Sequence, residues 1–114
     1  MMHFKKAKKK GNKVRNQNYH TKLRALQRFG VALNNDDLGK MAEVYRHDPS
    51  TTILYKQSNT RIKAIITYRG EAYPIIYDKT RHQLATVLTP DYLNKREREV
   101  YDKYKARLLK EESR

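Results

Sequence analysis

The stretch RIKAIITYRGEAYPIIY at residues 61–77 decides the fold of this chain. Its first part, Arg61–Tyr68, alternates with a period of two, and Arg69-Gly70 then supplies a tight turn into Glu71–Tyr77. Because a two-residue turn joins antiparallel neighbours, the stretch predicts a β-hairpin. Pro74 has no amide proton to donate, which favours an edge position or a bulge for the second strand.

Two further strands flank this hairpin. Thr51–Lys56 (TTILYK) is rich in β-formers, and Gln83–Leu88 (QLATVL) follows a loop at Asp78–His82. The connections between the four strands are all short. Short connections predict an antiparallel meander, since a parallel pair needs a long crossover.

Two helices are predicted before the sheet. The first covers Tyr19–Phe29 and ends at Gly30, a residue that suits a left-handed helix end. Its apolar stripe consists of Tyr19, Leu23, Leu26 and Phe29. The second covers Asp36–His47, with Asn35 as its N-cap and two acids in its first turn. We expect both helices to pack on one face of the sheet.

A third helix is predicted after the sheet, from Pro90 to about Glu111, with Thr89 as its N-cap. The expected organisation is a flexible basic arm at residues 1–18, a core domain at 19–90 and a charged C-terminal helix at 91–114. The predicted fold class is therefore α+β, with two N-terminal helices, a four-stranded antiparallel sheet and a C-terminal helix.

Basic residues dominate the composition. The 114 residues include 26 Lys and Arg against 12 Asp and Glu, and ten of the basic residues precede the first acid, Asp36. A surplus of this size repels itself, which indicates a polyanionic partner such as nucleic acid. The chain has no cysteine, no apolar run of membrane-spanning length and no apolar segment after its basic start. We therefore expect a cytoplasmic protein with no membrane partner, metal or cofactor.

The candidate nucleic-acid contacts lie in the arm, the first helix and the sheet. They are Lys5, Lys6, Lys8, Lys9, Lys10, Lys13, Arg15, Lys22, Arg24, Arg28, Lys63 and Arg81. Alternation in the second strand predicts that Arg61 and Lys63 lie on an open sheet face, where bases could stack on tyrosine rings. The alternative is that most of the nine tyrosines belong to the core.

A second set of residues could cleave RNA without a metal. That chemistry needs a base for the 2′-hydroxyl, a cation for the phosphorane and an acid for the leaving oxygen. The candidates are His20, Arg61, Tyr77, His82 and Thr86, with Arg81 beside them. A solvated surface role remains the alternative for each of them.

Two stretches, HTKLRALQRFGVALNNDDL at 20–38 and YPIIYDKTRHQLATVLTP at 73–90, resemble small phage and bacterial proteins akin to the BrnT and RelE toxins. The wider fold is that of barnase, EndoU, the colicin nucleases and RelE. The resemblance covers about residues 19–90 and implies a ribonuclease or RNA-binding fold. It assigns His20 as the helix histidine, Arg61 as the strand arginine and Thr86 as the closing-strand threonine. The arm and the C-terminal helix lie outside that core.

Three functions remain open at this point. The first is a small basic protein that binds nucleic acid, RNA in preference to DNA. The second is a metal-independent endoribonuclease of the RelE or BrnT type on the same surface. The third is a non-catalytic phage or bacterial accessory protein that binds and inhibits a host protein. A host protein or an antitoxin is therefore a further candidate partner.

Overall fold

The computed structural model describes residues 17–112 and has an α+β fold with four antiparallel strands in the order β1-β2-β3-β4. Its elements are α1 (17–29), α2 (Asn35–His47), β1 (Thr52–Lys56), β2 (Arg61–Tyr68), β3 (Glu71–Asp78), β4 (Gln83–Val87), a 3-10 turn (Pro90–Tyr92) and α3 (Lys95–Glu112). The predicted order of elements and the meander are confirmed. Residues 17 and 18, predicted as part of the arm, belong to α1.

The turn between β2 and β3 sets the register of the central hairpin. Arg69 and Gly70 both have positive φ, at 52° and 79°. This combination makes a two-residue turn whose twist matches that of the strands it joins. Tyr68 therefore pairs with Glu71, and the pairing continues without a register shift along both strands.

Pro74 lies in an inner strand, so the predicted edge position is wrong; of the predicted alternatives, a register shift does occur in the same strand, between Ile76 and Tyr77. It pairs with Ile65 on β2, and its carbonyl accepts a hydrogen bond from the Leu88 amide at 2.8 Å on the other side. In a strand, the nitrogen and the carbonyl of one residue point to the same side. The missing amide proton of Pro74 thus faces a position beyond the end of β4, and the β2–β3 ladder loses no hydrogen bond.

One face of the sheet packs on α1 and α2, as predicted, and encloses the larger core. The apolar stripe predicted for α1 is wrong for Tyr19 and Leu26, which are 60% and 52% exposed, whereas Phe29 packs against the core as predicted. The fully buried residues of the helix are Thr21 and Ala25. Polar side chains on the inner side of α1 bind carbonyls of β4, and these bonds fix the orientation of the helix. Hydrophobic spacing alone does not reveal them.

α3 covers the other face, so the predicted open face of the sheet is wrong. This second core contains Ile65, Ala72, Leu93, Tyr101 and Tyr104. The helix begins at Lys95 rather than at Pro90, because Asn94 and Glu97 form a capping box. The Asn94 side chain accepts from the Glu97 amide at 2.8 Å, and the Glu97 side chain accepts from the Asn94 amide at 3.0 Å.

A second capping box, between Asn34 and Asp37, starts α2, which makes Asn34 the N-cap in place of Asn35. Asp37 also accepts a hydrogen bond from the Tyr68 hydroxyl at 2.6 Å and pairs with Arg69 at 2.7 Å. The Tyr68 hydroxyl and the Asn34 amide hold the pKa of Asp37 below its ordinary value. The acid that caps α2 therefore also attaches the helix to the central hairpin.

Candidate nucleic-acid interface

α1 is held against β4 by polar side chains. Gln17 Nε2 donates to the Leu84 carbonyl at 3.1 Å. The Thr21 hydroxyl shares its proton between the Gln17 carbonyl of its own helix at 2.8 Å and the Ala85 carbonyl at 3.2 Å. Both side chains sit one turn apart on the same side of the helix. Their contacts decide which side of α1 faces the sheet and which side is left for solvent.

The candidate residues His20, Lys22 and Arg24 lie away from that contact. His20 and Arg24 are exposed, and Lys22 is half-buried. The His20 ring meets the Tyr19 ring edge-on, with 5.7 Å between their centroids. Within residues 17–112, neither Lys22 nor Arg24 takes part in an ion pair or a hydrogen bond through its side chain. Both cations are thus available to a ligand.

Arg28, the third basic candidate on α1, is partly committed to the fold. Its guanidinium donates to the Val87 carbonyl and lies 4.5 Å from the centroid of the Tyr92 ring. Arg28 therefore ties the end of α1 to the segment that precedes α3. The candidates of the basic arm lie outside the described residues, namely Lys5, Lys6, Lys8, Lys9, Lys10, Lys13 and Arg15.

Arg61 and Arg81 meet at Asp78, at one end of the β2–β3 pair. Asp78 Oδ2 lies 2.7 Å from the Arg81 guanidinium and 3.6 Å from that of Arg61. The Asp78 side chain is only 1% exposed, and this burial by itself would raise its pKa. The hydrogen bonds from the Arg81 side chain and amide and from the Thr80 amide outweigh the effect of burial, so the pKa of Asp78 is lowered. Two predicted cations thus share one ionised carboxylate, which leaves a single excess positive charge.

Tyr77 directly precedes Asp78 in β3, and His82 directly follows Arg81 in the loop before β4. The Tyr77 side chain is buried, stacks on Tyr45 with 4.1 Å between ring centroids, and bonds through its hydroxyl to Arg46 at 2.9 Å. His82 is exposed and has a φ of 53°. Its carbonyl lies 3.4 Å from the Arg46 guanidinium. The Tyr77 hydroxyl is therefore part of the packing between α2 and the sheet, away from solvent.

Lys63 and Thr86 lie on the sheet face that α3 covers. Ile76 pairs with both residues, which places the three side chains on one face. Lys63 Nζ is 3.2 Å from Glu97 Oε1, and the two side chains are only 13% and 7% exposed. The predicted open position of Lys63 is thus wrong, because its ammonium is neutralised beneath α3.

The predicted catalytic residues are therefore not gathered on one surface. Arg61, Arg81 and His82 lie at the same end of the sheet, whereas Tyr77 and Thr86 belong to opposite faces. In the part of the chain that the structure describes, no side-chain contact joins the His20 ring to any of them. Their roles in cleavage stay predictions.

Sequence reasoning left out a basic row on α3. Lys103, Arg107 and Lys110 are exposed and line one shallow surface with Ala106. Among the described residues, none of these three cations has an ion-pair partner. Their spacing of four and three residues is the signal that could have identified the row, because it places them on one side of a helix.

Comparison with known proteins yields no match to any family model, curated protein or solved structure. The resemblance to BrnT and RelE toxins therefore stays a prediction. Across residues 17–112, no helix is long and apolar enough to cross a membrane. The same residues include no group of three or more His, Asp or Glu side chains that could hold a metal ion.

Proposed function

We propose that this protein binds nucleic acid, RNA in preference to DNA, through the phosphate backbone. The main support for the proposal is that some cations form ion pairs with acids and others do not. Lys63 and Arg81 are matched by the acids Glu97 and Asp78, whereas Lys22 and Arg24 on α1, like the basic row of α3, make no ion pair within the described residues. Ten basic residues precede the first acid, so the longest stretch of basic residues without an intervening acid lies at the N-terminal side. Unmatched cations are what a polyphosphate backbone attracts.

The mode of binding that these contacts support is electrostatic rather than stacking. Five of the nine tyrosines are buried, namely Tyr68, Tyr73, Tyr77, Tyr101 and Tyr104. Helices cover both sheet faces, which removes the stacking platform that an open sheet would supply. Contacts from helix side chains to phosphates carry little sequence information, so we expect weak sequence preference.

A charge-matched pair of variants tests the proposal. The first is the double variant Lys22→Gln, Arg24→Gln, and its control is Lys40→Gln, Lys56→Gln, which removes the same charge from α2 and β1. Fluorescence anisotropy with one labelled oligoribonucleotide gives the affinity of each protein. We expect the α1 variant to lower the magnitude of the salt slope of binding by about 1.4, at about 0.7 for each phosphate contact on a single strand, and the control to leave the slope unchanged. A wild-type protein that binds no oligonucleotide at low salt would remove the proposal.

The ribonuclease and accessory-protein alternatives can be tested with the same purified protein. RNA fragments that form in EDTA with wild type but not with His20→Ala would support the ribonuclease prediction. A protein that stays bound after nuclease treatment would support the accessory-protein alternative. Binding of nucleic acid through the phosphate backbone requires neither of these two results.

A further inference from the structure

A cavity of about 370 Å³ lies between the α2–β1 loop, the sheet and the C-terminal half of α3. It is lined by polar side chains from three separate parts of the fold, among them Asp48, Ser50, Thr67, Tyr104 and Arg107. Leu108 and Pro49 add apolar surface beside these polar groups. A cavity of this composition favours a polar ligand over an apolar one.

Hydroxyl groups form a hydrogen-bonded chain across this cavity. The Tyr104 hydroxyl lies 2.5 Å from Thr67 Oγ1 and 3.4 Å from Ser50 Oγ. Ser50 in turn donates both its hydroxyl and its amide to Asp48 Oδ1, at 2.7 and 2.8 Å. The chain therefore ends on a carboxylate, and the Ser50 proton is not free for a ligand.

Asp48 gives the cavity an ionised acceptor. The hydrogen bonds from the Ser50 hydroxyl and amide lower the pKa of Asp48 below its ordinary value. Both of these bonds go to Oδ1, and within the described residues Oδ2 accepts no hydrogen bond. An ionised carboxylate can only accept, so a ligand here must bring a hydrogen-bond donor.

Arg107 adds the opposite chemistry at the edge of the same cavity. It belongs to the basic row of α3, and it lines both the cavity and the shallow surface of Lys103 and Lys110. An anion is attracted to this row but is repelled by the two carboxylates that also line the cavity, those of Asp48 and Glu111. The site therefore suits a ligand with a phosphate on its outer side and a hydroxyl donor on its inner side.

We infer that this cavity binds a ribose-phosphate unit of RNA, with Asp48 accepting the 2′-hydroxyl proton and Arg107 contacting the adjacent phosphate. The inference rests on the proposed function and deepens it, since the 2′-hydroxyl is the donor that distinguishes RNA from DNA. A deoxyribose at this position leaves Asp48 facing a nearby phosphate without a compensating donor. The cavity thereby selects RNA, and the basic row supplies affinity for either nucleic acid.

The test compares one oligoribonucleotide with the oligodeoxyribonucleotide of the same sequence. We expect the wild type to bind the RNA about tenfold or more tightly than the DNA, because one hydrogen bond to a charged group stabilises a complex by about that factor. Asp48→Asn keeps the size of the side chain and an oxygen that can accept from Ser50. We expect this variant to bring the two affinities within about threefold of each other. The change should come mainly from stronger binding of DNA, because the repulsion between Asp48 and the phosphate is lost. Arg107→Gln should weaken RNA and DNA alike, whereas Lys95→Gln, an equal charge change at the other end of α3, should weaken both less.

The outcomes separate this inference from the proposed function. Equal binding of RNA and DNA by wild type, with no change in the RNA-to-DNA ratio in Asp48→Asn, would overturn the inference while leaving nucleic-acid binding intact. Loss of all binding by the wild type would overturn both. Titration with adenosine 3′-monophosphate and its 2′-deoxy form adds a third arm. A 2′-hydroxyl preference seen only with these mononucleotides would overturn the assignment to RNA.

Discussion

The ion pair between Lys63 and Glu97 provides the most decisive prediction about the fold, because it explains why a strand lysine is not a nucleic-acid contact. Glu97→Gln keeps an oxygen that can accept from the Asn94 amide, so the cap of α3 is preserved. The substitution leaves the ammonium of Lys63 beneath α3 without its counter-charge at 3.2 Å. Breaking a buried pair costs about 3–5 kcal/mol, and we expect about 3 kcal/mol here because both side chains keep some exposure. That is a large part of the usual 5–15 kcal/mol of total stability.

Urea denaturation followed by far-UV circular dichroism measures this cost, with the slope in urea checked for constancy. The double variant Lys63→Met, Glu97→Gln should return to within about 1 kcal/mol of wild type, because it leaves no unpaired charge beneath α3. Asp102→Asn, which breaks the exposed Arg98–Asp102 pair at 3.6 Å, is the control and should cost less than about 1 kcal/mol. The double variant should also bind RNA as wild type does. Loss of RNA affinity in a stably folded double variant would refute the assignment of Lys63 to the core.

Three further predictions follow from individual contacts. Tyr77→Phe removes a hydroxyl that meets Arg46 at 2.9 Å in a buried site, and should cost about 1 kcal/mol in thermal unfolding while leaving RNA affinity unchanged. Gly70→Ala places a side chain at a φ of 79° and should destabilise the hairpin by about 1 kcal/mol or more, measured by the same melt. Asp78 has a lowered pKa in the folded state, so the unfolded chain binds its proton more readily. Its stabilisation is present above the unfolded pKa of about 4 and is lost as the pH falls further, and Asp78→Asn should flatten that acid-side loss.

The sheet could be predicted from the sequence because local signals agree there. The Arg69-Gly70 turn determines the register by itself, and the period-two pattern of β2 agrees with it. The edge position predicted from Pro74 was wrong, because the lack of an amide proton does not reveal which side of the strand that proton would have faced. That side depends on how β3 pairs with its neighbours, and whether a partner is lost depends on where β4 ends; both are set by the tertiary structure.

The helices were harder to predict, because polar contacts orient them. The orientation of α1 depends on hydrogen bonds from Gln17 and Thr21 to carbonyls of β4, and no apolar spacing encodes these bonds. The alternation in β2 predicted that Lys63 lies on an open face, whereas α3 covers that face and one glutamate, Glu97, both caps the helix and neutralises Lys63.

The part of the candidate site that depends on charge alone could be predicted from the sequence. The part that depends on how α3 packs on the sheet could not. The absence of acids before Asp36 identifies the N-terminal basic region directly. The cavity beside Arg107 joins a loop after α2 to the far end of α3, residues more than fifty positions apart in the chain. Only the packing of α3 on the sheet brings them together, so no local pattern could have revealed the cavity.

The salt dependence of RNA binding tests the central claim most directly. The affinity of the full chain for one labelled oligoribonucleotide would be measured by fluorescence anisotropy between about 50 and 200 mM salt. If about six basic residues contact phosphates of a single strand, the logarithm of the association constant should fall with a slope of about −4 against the logarithm of salt concentration. An affinity that stays constant across that range would contradict the claim that phosphate contacts hold the RNA.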